Sequence, residues 1–120
     1  MQRTWIAFGS LMGLAAVAMA ALAAHALPDR LDPRAMGMVH NALQMQGWHA
    51  LALLACGFWA ERRRRFANLA GAAFAAGIVL FCGAVYALAL AGVMLPMVAP
   101  VGGALLMLGW VLLGLSALRA

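Results

Sequence analysis

A chain of 120 residues that is 68% hydrophobic and only 9% charged lies far from soluble domains, where apolar residues are nearer half and charged ones about a quarter. Its length accommodates one membrane domain. The formal charge of +5 rests on arginine without a single lysine and without interleaved stacking aromatics, which excludes nucleic acid and assigns the positive charge to membrane topology and anionic lipid headgroups.

Residues 4–26 read as a first membrane helix. Ala24, His25 and Ala26 imitate a signal-peptidase site, but the apolar run is about twice the length of a signal core and three more runs follow, so a retained helix is expected. Gly9 and Gly13 stand at GxxxG spacing, and small residues continue through Ala16, Ala20 and Ala24. Close backbone approach through such faces drives association in lipid, so this face is expected to meet another helix.

Residues 28–33 form a polar turn in which Asp32 and Pro33 predict an N-cap and a proline at the first helical position. The following apolar stretch, 46–60, spans only about 22 Å as a helix, short of the roughly 30 Å hydrocarbon core. The second span, 39–60, must therefore draw His40, Asn41, Gln44, Gln46 and His49 into or against the membrane. A short amphipathic or interfacial helical stretch is expected ahead of it, and the sequence leaves open whether Gly37 or Gly47 breaks the two apart.

The third span, 66–92, is uncharged, with Gly71, Ala75 and Gly77 near one end and Gly83 and Ala87 near the other, a pattern that predicts buried faces on both sides. An apolar turn over 94–100 leads to the fourth span, 100–118, which carries Gly102, Gly103, Gly109 and Gly114. The fold class expected is all-α: four transmembrane helices in a compact antiparallel bundle, one domain over residues 1–120.

Orientation follows from arginine. Arg62, Arg63, Arg64 and Arg65 interrupt the chain midway, Arg3 precedes the first span and Arg119 follows the last, against only Arg30 and Arg34 on the other side. Cytoplasmic loops collect arginine, so both termini and the arginine block are expected in the cytoplasm, with residues 28–34 and 96–100 outside.

Histidine within a span is a functional hypothesis by default. On straight helices His25 and His40 lie at the outer interface, about 32 Å from the arginine end, and His49 nearer 20 Å, buried and expected to be neutral for want of a carboxylate partner. A two-histidine haem needs rings at one level on facing helices, so His25, His40 and His49 are weak ligand candidates; no cofactor is expected. The favoured role of His49 is structural, bonded to Gln46 or to a carbonyl of another helix. Gln46 shares its face and could instead bond to a neighbouring helix. Trp5 and Trp59 fit the interfacial belt, whereas Trp48, Tyr86 and Trp110 read as core packing. Cys56 and Cys82 are at different depths and read as small buried residues rather than a disulfide. No catalytic constellation, metal spacing or nucleotide loop is present in the sequence.

Several strings carry a family resemblance: Leu22-Ala-Ala-His25-Ala-Leu27, Gln46-Gly-Trp-His49-Ala-Leu-Ala-Leu-Leu54, Leu80-Phe-Cys-Gly83-Ala-Val-Tyr86, Pro100-Val-Gly102-Gly103 and Gly109-Trp110. In order, they resemble the motifs of the small membrane family catalogued as domain of unknown function 423, which has bacterial inner-membrane members and a mitochondrial-type relative in animals. The chain departs from that pattern at Met45, Cys82 and Ala84, where the family tends to have tyrosine and serines. The resemblance implies an integral membrane protein and marks His25, Gln46, His49, Gly83, Tyr86, Gly102 and Gly103 as positions to test. Gly9, Gly13, Gly83, Gly102 and Gly103 are the expected helix-packing positions.

Three functions compete on these grounds. The first is a non-enzymatic component that assembles with itself or with a larger inner-membrane complex. The second is a minimal transporter or channel lined by the polar face of the second helix, and the third a haem- or quinone-binding redox accessory.

Overall fold

The computed structural model describes residues 2–118; Arg119, one of the topology markers, lies outside the described residues. Four helices follow one another: α1 (Gln2–His25), α2 (Pro33–Trp59), α3 (Arg64–Ala91) and α4 (Val98–Leu118). A short 3-10 turn, Leu27–Asp29, links the first two.

The helix ends obey local chemistry. Asp32 caps α2, its Oδ1 accepting the Ala35 N–H at 2.8 Å, and Pro33 takes the first position, where its missing N–H costs no helical bond. At the far end of α3, Gly92 adopts φ 68°, a left-handed conformation that side-chain-bearing residues resist, and its N–H reaches the Leu88 carbonyl.

The helical stretch expected before helix two is continuous with it, the alternative the sequence left open. α2 runs unbroken for 27 residues, about 40 Å, because Gly37 and Gly47 are tolerated inside it. Upstream recruitment of polar residues thus occurs by lengthening one helix.

Consecutive helices pack on one another, and α2 and α3 form the central pair with α1 and α4 on either side. The bundle measures 51 × 27 × 18 Å. One core cluster, toward the arginine block, joins Trp5, Leu53, Cys56, Phe74, Ile78 and Leu106; a smaller one at the other end joins Ala23, Val39 and Ala89. The outer helices leave large apolar side chains uncovered, with Leu14 69% and Val17 70% exposed on α1 and Met107 67% exposed on α4. A water-soluble monomer rarely presents such surfaces, whereas hydrocarbon accepts them. α1, α3 and α4 are each long and apolar enough to cross a membrane. α2 is as long, but its polar residues dilute its apolarity.

Candidate functional site

The positions of the polar residues follow from a helical repeat. On α2 the buried residues Val39, Ala42, Gln46, His49, Leu53 and Cys56 recur at alternating steps of three and four, the a/d seam of a coiled coil. Gln46 and His49 are two rungs of that seam, so neither faces lipid: they are 4% and 3% exposed.

Gln46 ties α2 to two neighbours. Its Nε2 donates to the Met12 carbonyl of α1 at 3.0 Å, and its Oε1 accepts the Tyr86 hydroxyl of α3 at 2.9 Å. One turn toward the outer end, the Cys82 thiol donates to the Ala42 carbonyl at 3.3 Å. Cys56 and Cys82 are both buried free thiols. Of the two roles open to Gln46, bonding to neighbouring helices is the one observed.

His49 looks the other way, toward α4. Trp110 Nε1–H donates to His49 Nε2 at 3.0 Å, and His49 Nδ1 lies 2.6 Å from the Met45 carbonyl one turn back on its own helix. An indole N–H can only donate and a carbonyl can only accept, so the ring is neutral with its proton on Nδ1. The expected partners, Gln46 or a carbonyl of another helix, are replaced by Trp110 and the helix's own backbone. Phe74 of α3 completes a three-ring cluster, 5.6 Å from His49 and 5.1 Å from Trp110 between centroids, with the two carbocyclic rings edge to face. Gly109 makes room for it: a Cβ there would come within 2.6 Å of the Phe74 ring.

With both nitrogens engaged, His49 has no lone pair to offer iron. His25 and His40 are exposed near the outer end, and among the described residues no three His, Cys, Asp or Glu side chains gather as a metal site. Gln46 and His49 are covered by neighbouring helices, whereas His40, Asn41 and Gln44 of the same helix are exposed.

Near the arginine block two further bonds cross the bundle. Trp5 Nε1–H donates to Asn68 Oδ1 at 2.8 Å between α1 and α3, and Trp59 Nε1–H to Ser116 Oγ at 2.8 Å between α2 and α4; the Ser116 hydroxyl in turn donates to the Leu113 carbonyl. Trp5 is therefore a core residue, 6% exposed and seated on Gly71, rather than an interfacial anchor. Trp48, read as core, projects outward at 54% exposure. Asn68, Ser116 and Phe74 escaped the sequence reading. Asn68 and Ser116 had a signal, since each is a polar residue inside an apolar run and needs a partner there.

Within one copy the close helix approaches fall at Gly9 and Gly102, at Gly71 and Gly77 on the face of α3 expected to be buried, and at Gly57 and Gly109. A Cβ on Gly102 would strike the Phe81 backbone, and one on Gly9 would lie 2.9 Å from the Ala50 carbonyl oxygen. Gly13 and Gly83 face open space, and Gly103 has only an ordinary 3.9 Å contact with Phe81. The α1 seam follows a seven-residue step, Gly9, Ala16, Ala23, as does that of α4, Gly102, Gly109, Ser116. An i+4 step carries Gly13 about 40° away from Gly9 and off that seam.

Comparison with known proteins agrees with a membrane setting. The family described as "Protein of unknown function (DUF423)" matches residues 19–103. A Haemophilus influenzae UPF0382 membrane protein is 33% identical, with 100% of this chain and 98% of the relative covered. A Staphylococcus epidermidis UPF0382 membrane protein is 35% identical over 98% of this chain and 97% of its own length. The UPF0382 inner membrane protein YgdD of Escherichia coli is 34% identical over 98% of this chain and 91% of its own length. No solved structure matches.

Proposed function

The chain belongs to the DUF423 family of membrane proteins, whose function is unknown, and from that premise we propose that it is a four-span protein of the bacterial inner membrane serving as a non-enzymatic assembly or accessory component. α2 acts as the fourth span: Gln46 and His49 turn inward onto partners, and the exposed face of its inner half carries Trp48, Leu51 and Phe58, all more than half exposed. Both termini and the arginine block face the cytoplasm, where Arg62, Arg63, Arg64 and Arg65 meet anionic headgroups.

One observation carries the assembly reading. The buried polar residues Gln46, His49 and Ser116 are all bonded within the chain, while Gly13 on α1, Gly83 on α3 and Gly114 on α4 face outward with nothing against them. Outward small residues do nothing for an isolated bundle, but they admit close approach of another membrane helix. The partner is a second copy or a larger membrane complex. Extraction of tagged protein from native membranes into lipid-retaining nanodiscs should recover it at constant stoichiometry with that partner. Recovery of single copies alone would refute the assembly role. Labelling of an Asp29→Cys variant from the periplasmic side, with a Leu118→Cys variant protected, is the outcome expected for the orientation.

A further inference from the structure

At the end of the bundle away from the arginine block, two adjoining cavities share Met38, Leu88 and Met94 in their walls. The outermost, about 380 Å³, is lined by Arg30 and Arg34 together with Asp32 and apolar side chains. The second, about 260 Å³, lies deeper between α2, α3 and the segment after Gly92, and its walls are apolar apart from Asn41. This end has only two of the chain's eight arginines, and both open onto one cavity.

Their charge is not used by the protein. No ion pair forms among the described residues: of the two acids at this end, Asp32 caps α2 through Ala35, and Asp29 is not in the cavity wall. Both guanidiniums are exposed at the rim, near the start of a 27-residue helix whose dipole adds to the positive potential. A cationic mouth leading into an apolar groove fits an amphiphile with an anionic head and a hydrocarbon tail.

We infer that this composite groove holds one anionic phospholipid of the surrounding bilayer, its phosphate between Arg30 and Arg34 and one acyl chain along Val85, Leu88 and Leu95. The inference goes beyond the assembly role and does not depend on it.

Native mass spectrometry of the full chain in detergent tests it, titrating phosphatidylglycerol against phosphatidylcholine of identical chains. Wild type should hold one phosphatidylglycerol in preference to phosphatidylcholine. An Arg30→Gln/Arg34→Gln variant should bind it at least about tenfold more weakly, each lost charge-assisted bond being worth that order. A Leu88→Trp variant, which fills the groove and keeps the arginines, should lose it too. A Leu14→Trp variant, which adds the same bulk at an exposed α1 position outside both cavities, should retain it. Undiminished binding by the Arg30/Arg34 variant would overturn the site. Displacement of the lipid by millimolar inorganic phosphate, or retention by Leu88→Trp, would show a simple anion site and overturn the lipid assignment.

Discussion

Replacing Gln46 by leucine removes the one side chain that joins α1, α2 and α3, and the cost can be worked from its two bonds. Hydrogen bonds between membrane helices average about 0.6 kcal/mol and reach about 1.7 kcal/mol. The 3.0 Å bond to Met12 goes to a carbonyl that α1 itself can engage, so its loss lies at the lower figure. The 2.9 Å bond from Tyr86 is neutral, side chain to side chain, between a buried amide and a half-buried hydroxyl, so it lies nearer the upper. Gln46→Leu should therefore destabilise the bundle by about 1–2 kcal/mol, since leucine fills the site without a cavity. Tyr86→Phe should cost about 0.5–1.5 kcal/mol and leave the Gln46 oxygen buried without a donor. The double variant isolates the pair: a coupling of about 0.5–1.5 kcal/mol is expected. Reversible unfolding in mixed micelles, read by tryptophan fluorescence, measures all four corners of the cycle. Costs that add to within about 0.3 kcal/mol would refute the bond as a bolt between α2 and α3.

Further outcomes follow from the same geometry. Gly102→Ala should lower stability by about 1–3 kcal/mol, because its Cβ meets the Phe81 backbone, whereas Gly13→Ala should be neutral or gain up to about 1 kcal/mol of helix propensity in a detergent-solubilised monomer; thermal unfolding of the two separates them. Nitrogen NMR of ring-labelled protein should find His49 protonated on Nδ1 and bare on Nε2, and a proton on Nε2 would disprove the Trp110 bond. Trp59→Phe should cost only about 0.5–1 kcal/mol, since Ser116 keeps the Leu113 carbonyl as a partner.

The helices and the turn at Asp32 and Pro33 were readable because apolar runs, capping chemistry and proline act locally. That Gln46 and His49 are buried was readable too, from the shortness of the apolar run beside them. Their partners were not. A sequence gives the depth of Trp110 and Tyr86 but not the rotation of α3 and α4 about their axes, and that rotation decides which residue receives the His49 lone pair. Of the expected packing glycines, Gly9 and Gly102 meet a neighbouring helix within one copy and Gly13 does not, for a related reason: GxxxG spacing marks a face, while the seam that packs follows a seven-residue step, which takes in Gly9 and leaves Gly13 to the outside. Gly71 and Gly109 matter because Trp5 and Phe74 sit on them, a pairing across helices with no trace in local pattern.

The assembly claim is tested most directly by placing a photoreactive side chain at Gly13 or Gly114, positions with open space around them, and irradiating native membranes. Crosslinks to a defined protein, either a second copy of the chain or one recurrent partner, are the predicted result, with a control at Leu14, out among the lipid-facing side chains, yielding markedly less. Adducts to lipid alone from both glycine positions would contradict it.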